Sequence, residues 1–168
     1  MSAEHPSLVA GYRPGAIGRI AELHATYYSD HAGFGLDFER LVAQGLCDFL
    51  ARFEPGRDGL WLLLQGEHIE GSIAIDGLHA QDTGAHLRWF MVSDALRGQG
   101  QGRLLLRTAM NFCRQAGYER TFLWTFEGLD AARHLYEAEG FRLVHAAPGS
   151  QWGREVVEQR FEWVRTLA

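Results

Sequence analysis

The segment with the clearest chemical potential is a glycine-rich stretch, LRGQGQGRLLLR at 96–107, which leads into a helix-like apolar run. A helix start offers about four unpaired N–H groups and a partial positive charge. Glycine lets the backbone approach a ligand closely, and arginine adds forked charged donors. These features predict a phosphate-binding loop. The predicted loop residues are Arg97, Gly98, Gln99, Gly100, Gln101, Gly102 and Arg103.

Two other interpretations of this loop remain open. The first is a solvated surface turn with no ligand. The second is a dinucleotide-binding turn, in which strand, glycines and helix follow in the same order. The spacing disfavours the dinucleotide turn, because its third glycine would fall at Arg103 and four residues separate the strand from Arg97. Glu127 follows the next strand and could serve as the ribose-binding acid of such a site.

Composition excludes several classes of protein. A length of 168 residues suits a single domain, 1–168, and the net charge of −5 argues against broad nucleic-acid binding. The chain contains no lysine, which rules out a Schiff-base lysine and a P-loop. Cys47 and Cys113 give no disulfide framework, so we expect a reducing, cytoplasmic location. We find no signal peptide and no apolar run of about 20 residues, and we therefore expect no membrane partner.

Hydrophobic periodicity predicts the elements that must position the loop. The predicted order is β-α-α-β-β-β-α-β-α-β-β, with two βαβ-like crossovers after a meander. This order favours an α/β (α+β) fold with a mixed sheet. The predicted strands are 7–15, 60–65, 68–78, 85–92, 121–126, 141–146 and 155–164. The predicted helices are 16–29, one capped by Asp37 that ends before 54, 102–117 with Gly117 at its C-cap, and 131–139 capped by Asp130.

Two motifs together resemble a known family. The stretch VSDALRGQGQGRLLL is similar to the acetyl-CoA loop of the GNAT superfamily of N-acetyltransferases, and LDAARHLYEAEGFRLV is similar to its later helix. YRPGAIGRIAELHATYY and GEHIEGSIAIDG resemble the opening strand and helix and the second hairpin, so the resemblance covers nearly the whole chain. It is strongest to GNAT domains fused behind MarR-type DNA-binding domains. We expect this chain to be a stand-alone relative.

The resemblance implies a fold and a set of roles. The fold would be a mixed, mostly antiparallel sheet of six to seven strands, splayed at the acetyl-CoA site, with about four helices. Acetyl-CoA would be the cosubstrate, and its pantetheine would pair with backbone groups of Phe90, Met91 and Val92. The Val92 N–H would donate to the acetyl oxygen, and Tyr136 would donate to the departing sulfur. An amine would attack directly. The alternative is a non-catalytic acyl-CoA-binding or sensor module.

The general base is less clearly marked. The strand before the loop carries no acid where many relatives have a glutamate. His86 could act instead, directly or through water, although a packed or solvated histidine is an equally good interpretation. Glu22, Asp76 and Glu127 are the other candidates.

Aromatic residues and one arginine suggest the acceptor. Tyr27, Tyr28, His31 and Phe34 cluster at the end of the first helix, which borders the acceptor site in this family. Arg88 would bind a carboxylate, unless it pairs internally with Asp76 or Glu70. We therefore expect a small amine such as an amino acid or a related metabolite.

Two further expectations concern metals and subunits. We expect no metal, although His24 and His31 would share a helix face if the first helix continued past Asp30. Trp152 and the C-terminal strands are candidates for a homodimer contact.

Overall fold

The fold is a seven-stranded sheet with two helices on each face. We describe residues 4–167 of a computed structural model of the chain. The strands are β1 (Ser7–Ala10), β2 (Gly59–Gln65), β3 (His68–Asp76), β4 (Ala85–Val92), β5 (Arg120–Phe126), β6 (Arg142–Gly149) and β7 (Val156–Val164). The helices are α1 (Ala16–Ala32), α2 (Leu36–Ala51), α3 (Gln101–Gln115) and α4 (Asp130–Glu139).

The strand order is β1-β2-β3-β4-β5-β7-β6. Every neighbouring pair is antiparallel except β4 and β5, which are parallel and joined by α3. The mixed, mostly antiparallel sheet and the four helices confirm the predicted fold class. The second predicted crossover has a different form from the first, because β7 inserts between β5 and β6.

Both faces of the sheet are covered, which explains the uninterrupted apolar run of β2. Leu60, Leu62 and Leu64 of this strand pack with α1 and α2, whereas Trp61 packs with α3 on the other face. A strand buried on both sides needs no alternation of polar residues. The central strands, packed on both faces, therefore support the loops at their ends, which include the glycine loop after β4. Among residues 4–167, no helix combines the length and the apolar character needed to cross a membrane.

A bulge bends β4 near its centre. Ser72 pairs with Met91 and Ala74 with Arg88, so two residues of β4, Trp89 and Phe90, lie opposite Ile73 alone. Trp89 has a φ of 48°, which is rare for a residue with a side chain. Gly45 of α2 approaches the bulge closely: a Cβ there would lie 3.0 Å from the Trp89 ring. The bulge increases the local twist of β4 where the strand approaches the glycine loop.

Several predicted boundaries need correction. The first strand ends at Ala10, because Gly11 has a φ of 92°. Helix α1 continues three residues beyond the predicted Ser29. Asp37 and Asp130 were expected as N-caps, but each lies inside the first turn of its helix, with Gly35 and Leu129 at the cap positions. An acidic side chain in a first turn still interacts favourably with the helix dipole.

Candidate active site

Strands β4 and β5 separate along their length and open a gap in the sheet. They pair only at Ala85 with Thr121 and at His86 with Phe122, although β4 runs on to Val92 and β5 to Phe126. This confirms the predicted splaying. Two cavities meet at the gap, one of about 820 Å³ beside the glycine loop and one of about 290 Å³ beneath α1 and α2. Four residues line both cavities: Tyr28, Phe90, Phe126 and Tyr136.

The glycine loop lines the larger cavity and leads into α3. Gly100 is the N-cap residue, with a φ of 77°, and no side chain caps the helix start. A Cβ built on Gly98 or Gly100 would meet no heavy atom within 4 Å, so the space in front of the loop is open. The free N–H groups of the first turn, with Arg103 beside them, suit the pyrophosphate of a coenzyme. The larger cavity therefore suits a ligand that carries phosphate groups.

The predicted loop residues do not all face this cavity. Arg97, Gly98, Gly100, Gly102 and Arg103 line it, as do Phe90, Met91 and Val92 of β4. The side chain of Gln99 instead donates a hydrogen bond to the Ala95 carbonyl, 3.2 Å away. The Gln101 side-chain oxygen is buried without a hydrogen-bond partner in the described part of the chain. Neither glutamine lines the larger cavity.

Arg97 is turned back towards β4. Its guanidinium donates to the Val92 carbonyl at 2.8 Å, lies 3.3 Å from Asp94 and stacks 4.4 Å from the centre of the Tyr27 ring. Its positive charge remains at the cavity wall, but one of its N–H groups is already bonded to the Val92 carbonyl at the end of β4. The role of Arg97 at a phosphate stays a prediction.

The Val92 backbone points into the gap. Residues of an antiparallel strand direct their N–H and C=O groups alternately towards and away from a given neighbour. Ser93 donates to the Glu70 carbonyl of β3 at 2.7 Å, so Val92, one residue earlier, directs both its groups away from β3. These groups face the space between β4 and β5. The Val92 N–H is therefore oriented as an oxyanion donor requires.

Tyr136 lies where the two cavities join. It is 6% exposed, and its ring packs 5.9 Å from Phe90 and 5.9 Å from Phe161. Burial raises the pKa of the Tyr136 hydroxyl above its usual range, and nearby Tyr28 adds to this effect. The hydroxyl therefore keeps its proton at neutral pH. It can donate a hydrogen bond but cannot serve as a base.

The smaller cavity contains the residues predicted for the base and for the acceptor. His86 lines it, stacked 4.4 Å from Phe122. Burial lowers the pKa of His86 to about 3, and the charge of Arg88 contributes. The imidazole is therefore neutral at pH 7 and is a weak base. Of the other candidates for the base, Glu127 lines the larger cavity, Glu22 pairs with Arg19, and Asp76 pairs with Arg52.

Arg88 lines the smaller cavity and also has an internal partner. Its guanidinium lies 3.4 Å from Asp76, which takes shorter hydrogen bonds of 2.9 and 2.7 Å from Arg52. Glu70, the other predicted partner, pairs instead with Arg19 at 3.2 Å. The same guanidinium lies 4.1 Å from the centre of the Trp89 ring. Arg88 is thus held in place by its ion pair with Asp76, although Asp76 binds Arg52 more closely.

The aromatic cluster at the end of α1 divides between the two cavities. Tyr27 and His31 stack with ring centres 4.0 Å apart and line the larger cavity, whereas Phe34 lines the smaller one and Tyr28 lines both. The Nδ1 atoms of His24 and His31 each hydrogen-bond a backbone carbonyl four residues earlier. His24 is buried and His31 is exposed, so their shared helix face does not bring them into one site.

Sequence reasoning missed the far wall of the smaller cavity. Phe126 at the end of β5 and Trp152 in the β6–β7 loop complete it, with ring centres 5.7 Å apart. Trp152 also packs 6.2 Å from Phe34 of the same chain. Its expected role in a dimer contact therefore competes with a role in this cavity, and dimerisation stays a prediction. No motif marks these positions, because they lie far apart in sequence.

Comparison with known proteins places the chain in a family. Residues 19–141 match the model of the Acetyltransferase (GNAT) family. The structure superposes on an acetyltransferase from Streptococcus agalactiae 2603 with a TM-score of 0.74 at 18% identity, covering 98% of this chain and 100% of that one. A GNAT-family acetyltransferase from Staphylococcus aureus Mu50 gives a TM-score of 0.71 at 17% identity, covering 94% and 98%.

A further similar structure, yncA from Salmonella typhimurium, was solved with its cofactor acetyl-CoA. Its TM-score is 0.69 at 17% identity, covering 94% of this chain and 93% of that one. A search of curated proteins gave no match. The family match spans well over half of the chain. The chain therefore belongs to the GNAT family of acetyltransferases.

Proposed function

We propose that this acetyltransferase moves the acetyl group of acetyl-CoA to the amine of a small molecule by direct attack. The observation that carries the proposal is the meeting of the two cavities at Tyr136, beside the inward-facing backbone of Val92. The larger cavity suits the long coenzyme. The smaller one, of about 290 Å³, is at the lower end of the range for ligand sites and suits a compact acceptor rather than a peptide.

Each residue at the junction has a distinct part in this reaction. Acetyl-CoA, when bound, supplies an activated acetyl group on sulfur. The Val92 N–H donates to the acetyl oxygen as that oxygen gains negative charge. The Tyr136 hydroxyl, which is protonated at neutral pH, donates a hydrogen bond to the sulfur as the carbon–sulfur bond breaks. The phosphates lie against the first turn of α3, which holds the acetyl group at a fixed distance from Val92.

A survey of acceptors tests the proposal. Release of free thiol from acetyl-CoA would be followed with simple amines, amino acids, polyamines and short peptides. We expect at least one class of small amine to accelerate thiol release strongly, and peptides to be poor acceptors. If the protein binds acetyl-CoA but no amine accelerates thiol release, the chain is an acyl-CoA sensor.

Arg88 is proposed to bind a carboxylate of the acceptor. Replacing it by Met removes the guanidinium and keeps most of the side-chain volume. We expect Arg88→Met to raise KM for a carboxylate-bearing acceptor by roughly tenfold to a hundredfold, since a charge-assisted hydrogen bond contributes about 1.5–3 kcal/mol. The KM for the same amine without its carboxylate should change little. Steady-state kinetics on the two acceptors measure the difference.

Arg52→Met is the matched control for this prediction. Arg52 binds the same Asp76 carboxylate, but it does not line the smaller cavity. If Arg52→Met produces the same pattern of KM changes, or if Arg88→Met affects both acceptors equally, Arg88 has a structural role only.

A further inference from the structure

The smaller cavity has an unusual lining for a site that takes an amine. Half of its lining residues are Phe, Tyr or Trp. One wall consists of packed rings, with Phe34 5.2 Å from Phe126 and Phe126 5.7 Å from Trp152. Among the lining residues in the described part of the chain there is no Asp or Glu. The cavity therefore combines flat aromatic faces with polar groups, and its described lining offers no carboxylate for an ammonium ion.

The ionisable side chains of the cavity also disfavour a positive charge. Arg88 already carries one, and its partner Asp76 is shared with Arg52, so one carboxylate faces two guanidinium groups. Burial lowers the pKa of His24 to about 4 and that of His86 to about 3, so neither imidazole takes up a proton at neutral pH. An alkylammonium group in this cavity would also lose its hydration water, and the Arg88 guanidinium would repel it. Aromatic faces attract cations and would favour an alkylammonium group. The two effects oppose each other, so a comparison of charged and uncharged acceptors shows which is larger.

We infer that the acceptor, in the reaction proposed above, is a compact aromatic amine that enters the smaller cavity in its uncharged form. The rings of Phe34, Phe126 and Trp152 would pack against its flat body. Its polar end would meet Arg88, Thr125 or Gln151, which are among the polar groups of the lining. The inference rests on the proposed acetyl transfer and narrows its substrate class.

An uncharged amine also removes the need for a base at the start of the reaction. The nitrogen lone pair forms the new bond to the acetyl carbon, and the carbon–sulfur bond breaks. The nitrogen loses one proton when the amide forms, and the departing sulfur gains one proton. The reaction therefore balances, and no group is left charged. Tyr136 is placed to donate on the sulfur side. The absence of an acid from β4 among the described residues is then consistent with the chemistry.

Three matched acceptors test the inference. They are para-aminobenzoate, para-(aminomethyl)benzoate and the cyclohexane analogue of the latter, each with saturating acetyl-CoA. We expect kcat/KM for para-(aminomethyl)benzoate to rise about tenfold per pH unit between about pH 6 and pH 9, because only its neutral fraction reacts. The value for para-aminobenzoate should stay flat over that range. The cyclohexane analogue should show a KM about tenfold higher than its aromatic counterpart.

Different failures have different meanings. A profile for para-(aminomethyl)benzoate that levels off near neutrality would reveal an enzyme base and overturn the inference. Equal KM values for the aromatic and cyclohexane acceptors, or a preference for aliphatic polyamines, would also overturn it while leaving acetyl transfer intact. If no amine of any kind is acetylated, the proposed function fails as well.

A variant provides an independent readout. Trp152→Leu removes one aromatic face of the cavity and keeps it apolar. We expect KM for the aromatic acceptor to rise about tenfold with the Kd for acetyl-CoA unchanged. Tyr12→Leu is the control, because Tyr12 is 59% exposed and lies outside the cavity lining. An unchanged KM in a folded Trp152→Leu protein would contradict the inference.

Discussion

Gly100→Asp is expected to abolish measurable binding of acetyl-CoA. Gly100 is the N-cap of α3 and lies open to the larger cavity, so an Asp there would direct a carboxylate at the phosphates. Two unit charges about 4 Å apart repel by roughly 4 kcal/mol at an effective dielectric constant of 20. That repulsion corresponds to a loss of about a thousandfold in Kd. Isothermal titration calorimetry of the folded variant measures the effect.

Gly100→Asn separates charge from backbone strain. Gly100 has a φ of 77°, a conformation that Asn and Asp tolerate better than other residues with side chains. Asn has nearly the same size as Asp and no charge, so we expect it to retain most of the affinity. Equal and large losses in both variants would point to strain in the loop. Wild-type affinity in both would show that the phosphates bind elsewhere.

Tyr136→Phe is expected to lower kcat by roughly 10²–10⁴-fold, the range over which general-acid help contributes. The ring packing against Phe90 and Phe161 survives the change, so the Kd for acetyl-CoA should stay within about twofold of the wild-type value. Steady-state kinetics and calorimetry on the same preparation give the two numbers.

Tyr28→Phe is the matched control for Tyr136. Both residues line the junction of the two cavities, and replacing either one by Phe removes one hydroxyl group. We expect Tyr28→Phe to lower kcat far less than Tyr136→Phe. A larger loss for Tyr28→Phe would transfer the role of acid to that residue, and normal turnover in Tyr136→Phe would leave Tyr136 with a packing role.

Much of the fold was predictable because local patterns determine it. The boundaries of β4 follow from an apolar segment between turns, and the start of α3 follows from glycines before a helical apolar face. The insertion of β7 between β5 and β6 was not predictable in this way. The order of strands in a sheet depends on pairing between distant segments, which leaves no periodicity in either one.

The part of the site that one continuous segment forms was predictable from the sequence. The part that several distant segments form was not. The glycine loop is continuous, and its residues were identified from spacing and resemblance. The bulge at Trp89 gives no sign in the sequence, because a positive φ is expected at glycine or asparagine rather than at tryptophan. The smaller cavity combines α1, α2, β4, β5, α4 and the β6–β7 loop, so its aromatic wall emerges only when these elements pack together. The weak basicity of His86 likewise depends on its burial.

Transfer of an isotope-labelled acetyl group tests the central claim most directly. The protein would be mixed with labelled acetyl-CoA and the aromatic amine panel, and the products analysed by mass spectrometry alongside free thiol. We predict one N-acetylated product for each thiol released, with the label on the acceptor nitrogen and none on the protein. Tight binding of acetyl-CoA without any labelled amine, or a label that accumulates on the protein before it reaches the acceptor, would contradict direct transfer at the junction of the two cavities.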